Sequence, residues 1–572
     1  MPPPGNPPAE TGKSAPELDA DVLIVGAGPV GCWLAAELTA AGVSALVIEA
    51  RESRVAWSRG FVIHPRTLEI FDSRGVVGPM LATARRSPDW HFAMSSQRLD
   101  FAVLPTAFPF VLLQPQARTE ELLEEHLKQL GGHVRRGRRA VGLTQHPDHV
   151  AVRVLRDEAE HTLTARFVVG CDGARSAVRQ AAGIGFNGNR DTLTSPTALV
   201  VLADPPPPEQ YMQTRENGIF FTIPLPNGRF LVSTIDHEVM HEVDTPWTTE
   251  MVRASLLRIT GTDYGMGEPE RVSSVGNSAK QADRYRDHRV LLAGDAAHVH
   301  FPMGGQGLNL GIQDAHNLAW RLTAAVRSEL GRPGPESVDA LLDGYEAERR
   351  PVGERVLEDV RAQMALVAAT GADGVALRDR FESLLADHQD VNLEYARRLS
   401  GLEVRYPTAD AEAAANGDDP RLGARIPDLL LDLPTSTHGL PPGETHLYEL
   451  LRAIGPGQFI QLSIASDAEP EPSSADDDDS ARHPSPETAV TITARSVQGP
   501  DWAIRVGWGR PETLLIRPDG HLARIAQIAQ IAHGTHSAHP VHPVHPARIN
   551  TSTAAAHAST TPESAEGPAS GP

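Results

Sequence analysis

Asp295 closes an apolar run, Val290-Leu291-Leu292-Ala293, and a proline- and glycine-rich stretch follows it: Phe301-Pro302-Met303-Gly304-Gly305-Gln306-Gly307-Leu308-Asn309. The run reads as a short buried strand, and helical spacing continues from about Leu308 to Val326. An acid at the carboxyl end of a buried strand, beside a glycine-lined helix start, is suited to a polar ligand, because unpaired N–H groups and the positive end of the helix dipole face the same space. A related arrangement stands near the amino terminus. Gly26-Ala27-Gly28-Pro29-Val30-Gly31 joins the apolar run Val22–Val25 to residues at helical spacing, Trp33, Leu34, Ala35 and Leu38, which end at Gly42. A second apolar run, Ala45–Ile48, ends at Glu49. Strand, glycine turn, helix, strand and acid in this register form the dinucleotide-binding fingerprint. Gly26 permits the tight turn, Gly28 lets backbone approach a pyrophosphate, Gly31 lets the helix pack close, and Glu49 is placed to accept from ribose hydroxyls. The fingerprint does not separate FAD from NAD.

A third turn completes the set. A strand over Thr162–Val169 runs into Gly170-Cys171-Asp172-Gly173-Ala174-Arg175-Ser176 and a helix start. Asp-Gly alone is a common turn; its weight here comes from lying between the other two motifs. Other groups are ambiguous. Arg59 and Arg66, flanking Pro65 at the head of a helix over 66–73, could pair with phosphates or lie on a solvated face. Gln116 opens an amphipathic helix to Leu130. His64, His298 and His300 could titrate near neutral pH, but each reads equally as structural, so no catalytic base is assigned.

The elements that must position these residues follow from pattern. The 572-residue chain exceeds one hydrophobic core. Its composition, 40% hydrophobic and 22% charged, is that of a globular protein, and a formal charge of -21 argues against nucleic acid or anionic membrane as partner. Two cysteines, Cys32 and Cys171, exclude a disulfide framework or cysteine metal site and suit a reducing cytoplasm. The Pro-rich first eighteen residues lack the apolar core of a signal peptide, and no apolar run nears the roughly 20 residues of a membrane span. Aromatic residues mark 76–110. Alternating runs at 197–202, 218–224 and 229–234, separated by turns such as Asn227-Gly228, predict an antiparallel sheet inserted into the nucleotide-binding fold. Helices are expected over 338–347, 354–369, 377–385 and 391–399. Beyond Arg425, strands are expected at 459–464, 490–494 and 513–516, with a helix over 447–454. The acidic, Pro- and Ser-rich 466–487 stretch reads as a disordered loop. From 526 the chain is His- and Pro-rich, with His533, His536, His539, His542 and His545 at every third position. The tail reads by default as solvated and extended, with metal binding as the alternative.

GAGPVG, CDGARSAVR and GDAAH in this order resemble the class A (single-component) FAD-dependent aromatic hydroxylases, which include para-hydroxybenzoate hydroxylase. SRGFVIHPRTLEIFDSRG, HVHFPMGGQGLNLGIQDAHNLAW, YEAERRPVGERVL, RRLSGLEVRYP and TLLIRPDG are together similar to the bacterial hydroxylases of aromatic polyketides such as angucyclines and anthracyclines. The resemblance spans roughly residues 20–525 and is thinnest over 186–285. It implies an α/β fold: an FAD-binding Rossmann fold over 19–185 and 286–365, an inserted antiparallel β-sheet substrate domain over 186–285, a helical linker over 366–415, and a thioredoxin-like domain over 416–525. That last region has no cysteine, so it cannot perform thiol redox chemistry. By motif position the resemblance assigns FAD binding to Gly26, Gly28, Gly31, Glu49, Arg59, Gln116, Asp172, Asp295, Gly305, Leu308 and Asn309. It implies transient use of NADPH or NADH, dioxygen as co-substrate, no metal, and hydroxylation of a phenolic or polycyclic aromatic ring through a flavin C4a-hydroperoxide. The expected form is a cytoplasmic monomer or homodimer. Alternatives on the same scaffold are Baeyer–Villiger oxygenation or hydroxylation of a simple phenol. A third reading is a non-catalytic FAD-binding protein.

Overall fold

Strand β1 (Ala20–Val25) is almost wholly buried, as its β-branched composition requires of a strand covered on both faces. It lies between β2 (Ala45–Ile48) and β4 (Ala159–Gly170), while β3 (Val134–Arg135) and β5 (Val290–Leu292) flank these, giving the parallel order β5–β4–β1–β2–β3. The strands Arg139–Gln145 and Val150–Arg156 extend the sheet antiparallel from β4. The computed structural model describes residues 18–55, 60–239, 241–243, 245–332, 337–407, 419–464, 489–494, 497–498, 508 and 510–526. Arg59, the 466–487 stretch, the first seventeen residues and the histidine tail lie outside them.

Helix α1 (Pro29–Ala40) starts with proline at its first position, where the missing N–H costs nothing. It packs on α4 (Gly307–Glu329), the long helix after the Pro/Gly stretch. Trp33 of α1 is buried and meets Phe71 of α2 (Pro65–Asp72) edge-on at 5.0 Å. Helix α3 (Gln116–Gln129) covers the other side of α1.

The predicted antiparallel sheet is present as five strands in the order 212–215, 218–224, 229–236, 194–201, 271–276. Its period-2 alternation sorts side chains to two faces. Phe220, Val232, Ala198 and Val200 pack under the Thr249–Thr260 helix. On the other face Ile219, Ile235 and Phe221 meet Phe301 and Met303 of the Pro/Gly stretch, together with Val360 and Val367.

Those valines lie on α5 (Val338–Ala368), where the structure departs from expectation: one continuous helix replaces the two expected on either side of Pro351. Proline removes one ladder hydrogen bond, but tertiary contacts on both sides hold the axis. The Tyr345 hydroxyl donates to the Leu292 carbonyl at 2.7 Å, and Gln281 Nε2 donates to the Arg350 carbonyl at 2.7 Å. Two further helices, Gly371–Asp387 and Gln389–Ser400, bring Phe381 and Tyr395 against Phe92.

In the carboxyl-terminal region Phe459–Ile464 pairs parallel with Ala489–Ala494 and antiparallel with Thr513–Ile516. The Leu447–Ile454 helix adds Leu447, Leu450 and Leu451 to a core that includes Ile460, Leu462 and Leu514. This region meets α4 and α5 through charge. Arg517 pairs with Glu348 of α5 at 2.8 Å and with Asp519 at 2.6 Å, and Glu348 also pairs with Arg321 at 2.7 Å. All four side chains are buried. Arg517→Met would leave Glu348 and Asp519 short of their cation, which costs about 3–5 kcal/mol for a buried pair. Arg229→Met at the half-exposed Arg229–Glu270 pair should cost under about 1 kcal/mol. Urea unfolding followed by tryptophan fluorescence compares the two; equal losses would contradict the assignment of the Arg517 network as a buried structural link.

Candidate functional site

The three sequence motifs meet at the carboxyl ends of β1, β4 and β5, where an open parallel sheet offers its ligand crevice. Gly26 sits at φ +105°, and a Cβ there would collide with the Cys171 carbonyl and approach Asp172 Cα to 2.9 Å. A Cβ on Gly31 would collide with the Gly26 carbonyl. These two glycines are therefore required by the protein's own crowding. Gly28 is the opposite case: a Cβ there would meet nothing within 4 Å, so the backbone at the head of α1 borders open space. The third motif interlocks with the first, since a Cβ on Gly311 would lie 2.6 Å from Val30 Cγ2 and 3.1 Å from Gly294 Cα.

Buried polar groups hold these turns. Asp314 of α4 accepts from the Gly294 N–H at 3.2 Å, lies 2.7 Å from His298 Nε2 and takes Arg349 Nε at 2.8 Å. Arg349 also donates to the Leu310 carbonyl at 3.2 Å and to the Tyr406 hydroxyl at 3.1 Å. Burial would raise the Asp314 carboxyl, but Arg349 and His298 outweigh it and hold the group ionised, below the usual range. Asp295 is exposed, whereas its neighbours from Val290 to His298 are buried. It thus presents a carboxylate at the crevice while the turn carrying it is clamped from behind.

Glu49 Oε2 accepts from the Ala27 N–H at 3.0 Å, and Oε1 accepts from the Arg51 N–H at 3.0 Å. Gln116 is fixed through its N–H to the Gly60 carbonyl at 2.9 Å and through Nε2 to Glu120 at 2.8 Å. It therefore sits beside Gly60. Asp172 Oδ2 accepts from the N–H groups of Ala177 and Val178 at 2.7 and 3.2 Å, which caps the short helix Ala177–Ala181. Its Oδ1 is buried with no hydrogen-bond partner, and burial raises the carboxyl above its usual range.

The Pro/Gly stretch is rigidified by Asn309, whose Oδ1 accepts from the His64 N–H at 2.8 Å. Its Nδ2 donates to the Val62 and Gly305 carbonyls at 3.0 and 2.8 Å. Two side chains converge on the Gly304 carbonyl, His64 Nε2 at 2.8 Å and Trp90 Nε1 at 3.2 Å. At Gly305 the space of a Cβ is filled by Val62, 2.5 Å away. The glycines at 304 and 305 thus serve packing of the stretch against the protein, and Gly307, Leu308 and Asn309 form the head of α4. Because a carbonyl only accepts, His64 carries its proton on Nε2, and His300, 2.7 Å from the Phe301 carbonyl, carries it on Nδ1. Burial pushes His64 and His300 down to about 4 and His91 down to about 3, so all three are neutral at pH 7.

The residue set fits a bound dinucleotide cofactor. The crevice has an open approach at Gly28, an exposed acid at Asp295, and buried polar atoms without protein partners around it, namely Asp172 Oδ1, His300 Nε2 and Gln306 Nε2. Among the described residues no group of three or more His, Cys, Asp and Glu side chains could hold a metal, and no helix is long and apolar enough to cross a membrane. Asp314 and Arg349 stand within motifs read from the sequence, but nothing in their spacing signalled that they pair. Trp90 belongs to the aromatic-rich 76–110 segment, and no local pattern there identifies the Gly304 carbonyl as its partner.

Residues 19–360 match the FAD binding domain family. The chain is 41% identical to an uncharacterised aromatic compound monooxygenase of Bacillus subtilis (strain 168), over 88% of this chain and 93% of the relative. It is 39% identical to a 12-dehydrotetracycline 5-monooxygenase/anhydrotetracycline 6-monooxygenase of Streptomyces rimosus, over 72% of this chain and 80% of the relative. An anhydrotetracycline hydroxylase structure from Streptomyces rimosus superposes with a TM-score of 0.75 at 34% identity, covering 90% of this chain and 96% of the other. The chain belongs to the FAD binding domain family and is a flavoprotein monooxygenase.

The neutral histidines make stability depend on pH. Unfolded, His64 titrates near 6.5; folded, near 4. The folded state therefore binds fewer protons between these values, so its stability is complete above pH 6.5 and is lost as pH falls toward 4. His64→Gln keeps a donor for the Gly304 carbonyl and does not titrate. It should reduce the slope of unfolding free energy against pH in that window by about 1 kcal/mol per pH unit. An unchanged slope in urea titrations at pH 4.5–7 would show that His64 is not held neutral.

Proposed function

We propose that this flavoprotein monooxygenase acts on a polycyclic aromatic polyketide, a phenolic ring system that is bound between the flavin site and the five-stranded sheet. The observation that carries this reading is the apolar junction of Phe301 and Met303 with Ile219 and Ile235 of the sheet and Val360 and Val367 of α5. It sits directly against the stretch that precedes α4 and is built from three separate elements, an apolar wall on which a flat ring system would pack. The tetracycline-type substrates named for the Streptomyces rimosus relatives support the same class.

Gly26, Gly28 and Gly31, with the free N–H groups at the start of α1, would hold the pyrophosphate of FAD. Glu49, whose carboxylate is already braced by backbone N–H groups, would face the ribose, and Asp295 would accept from the ribityl hydroxyls. Gly305, Leu308 and Asn309 would border the ring system, with Arg59, Gln116 and Asp172 at its edges. Bound FAD, reduced by NADPH or NADH, supplies the electrons with which one atom of dioxygen enters the aromatic ring and the other leaves as water. The chain's part is orientation and dryness. The amino end of α4 stabilises negative charge next to the Pro/Gly stretch. The Gly304 carbonyl, held by His64 and Trp90, keeps that stretch from reorganising, and the apolar wall excludes water. The carboxyl-terminal sheet, with its parallel pair and no cysteine, is read as a thioredoxin-like structural domain. The solution form is read as a monomer or homodimer.

The test is oxidation of NADPH across a panel of aromatic polyketides and simple phenols, with product mass. Stimulation by polyketides and a gain of one oxygen as a hydroxyl is expected. Stimulation by simple phenols alone overturns the substrate class, and insertion of oxygen into the carbon skeleton would show Baeyer–Villiger chemistry. Asp295→Ala should lower flavin retention on dialysis by roughly tenfold or more, since a hydrogen bond to a charged acceptor is worth about 1.5–3 kcal/mol. Wild-type flavin content in that variant would remove Asp295 from the site.

A further inference from the structure

Gln363 stands on α5 between Val360 and Val367, on the helix face that meets the apolar junction. It is fully buried. Its two amide atoms have different fates. Oε1 accepts from the Ala93 N–H at 3.0 Å, while Nε2 is buried with no hydrogen-bond partner. The bond to Ala93 decides the orientation of the amide, because turning it over would set a donor against an N–H. An amide donor left bare in an apolar surround costs about 1–3 kcal/mol, and leucine or methionine would fill the same position at no such cost.

The backbone that Gln363 grips is itself unusual. Ala93 and Met94 both hold positive φ, 51° and 54°, a conformation that side-chain-bearing residues seldom adopt. The pair is kept there by three contacts from three elements. Gln363 takes the Ala93 N–H, the Met94 N–H approaches His91 Nδ1 at 3.4 Å, and Thr214 of the sheet donates to the Met94 carbonyl at 2.6 Å. Met94 packs in the same apolar junction as Ile219, Phe301 and Val360. Strain and an unpaired buried donor concentrated at one spot mark a place where structure has been kept for binding rather than for stability. The thioethers of the same junction, Met94 and Met364, are the side chains that repack at least cost when a ring enters.

We propose that Gln363 Nε2 is a specificity donor, which binds a carbonyl oxygen carried by the aromatic substrate and so selects quinone- or ketone-bearing rings. The inference rests on the reading of the apolar junction as the substrate site. Nε2 presents hydrogens only, so its partner must be an acceptor. A carbonyl meets that condition whatever the ionisation of the substrate. Gln363 touches no reacting atom in this scheme; it registers the ring system so that one edge is presented to the flavin.

The test compares two probes, a dihydroxyanthraquinone and the matching dihydroxyanthracene without ring carbonyls. Binding of each to the flavin-loaded enzyme is followed by flavin absorbance and by KM and kcat for NADPH oxidation. Wild type is expected to bind the quinone about tenfold more tightly. Gln363→Met removes both amide atoms at nearly constant length. Gln363→Glu keeps an acceptor for Ala93 and removes the donor once its buried carboxyl is ionised, so it is measured from pH 7 to pH 10 and compared on the high-pH plateau. Gln363→Glu should raise KM for the quinone about tenfold and leave the anthracene and flavin content unchanged, whereas Gln363→Met, which also releases the Ala93 N–H, should weaken both probes and the quinone about tenfold more than the anthracene. Equal losses for both probes would show that Gln363 only props the Ala93–Met94 turn, and would overturn the proposal. Retention of quinone preference in Gln363→Glu would do so as well. If wild type binds neither probe while holding flavin, the substrate-site reading fails, and the proposal with it.

Discussion

The Asp314–Arg349 ion pair is the constraint on which the rest of the site depends. Both side chains are fully buried, and in such surroundings a pair contributes little net stability, because the desolvation of two ions offsets their attraction. What it contributes is position. One carboxylate reaches the Gly294 N–H, His298 and Arg349, and the guanidinium reaches the head of α4 at Leu310 and Tyr406. The turn that displays Asp295, the start of the helix that would face the flavin and the long helix that walls the apolar junction are therefore tied through two residues. A hydrophobic pair of equal volume could fill the space, but it would have no means of fixing the Gly294 turn.

Around that tie the three turns fit by exclusion of side chains. Gly26 lies against Cys171 and Asp172, Gly31 against Gly26, and Gly311 against Val30 and Gly294. All of these contacts lie within the chain itself. The space at Gly28 and the exposed side of Asp295 are features a dinucleotide would use. Pre-formed sites reduce the ordering cost of binding. The same logic applies to Gly304, whose carbonyl is occupied by two donors and so is not available to swing.

How much of this was readable in advance follows from what each signal needs. A glycine turn between an apolar strand and a helix is a local fact, and the turns at Gly26, Asp172 and Asp295 could be found from neighbouring residues alone. The alternation at 218–224 and 229–234 likewise announced strands, which pair as expected. Pro351 misled because its helix-breaking tendency is local, whereas Tyr345 and Gln281 hold the helix through contacts from distant segments. Asp314 and Arg349 are separated by 35 positions, and no pattern in the chain says which acid meets which base. Gln363 is the extreme case, since a glutamine in a helix reads as a surface residue until its surroundings are known. Asp172 was readable as a turn acid, but its use as a helix cap depends on the N–H groups of Ala177 and Val178 lying within reach.

The carboxyl-terminal region joins the site by the same kind of reasoning. It has no cysteine and so no thiol chemistry, yet its Arg517–Asp519 turn touches three helices. Arg66 of α2 and Arg74 just after it donate to the Asp519 and Pro518 carbonyls at 3.0 Å each, Trp320 of α4 donates to Asp519 Oδ2 at 3.3 Å, and Glu348 of α5 pairs with Arg517. Helix α2 begins at the residue after His64, which grips Gly304, and α4 begins at Gly307. The turn thus sets the relative placement of the two helices whose amino ends bracket the Pro/Gly stretch. An oxygen-transferring site needs that bracket held to within a fraction of an ångström, since small displacements of a positioned group cost large factors in rate. The Arg517–Asp519 turn, held by Arg66 near the amino end of α2, by Trp320 mid-way along α4 and by Glu348 of α5, supplies such placement from a segment remote in sequence.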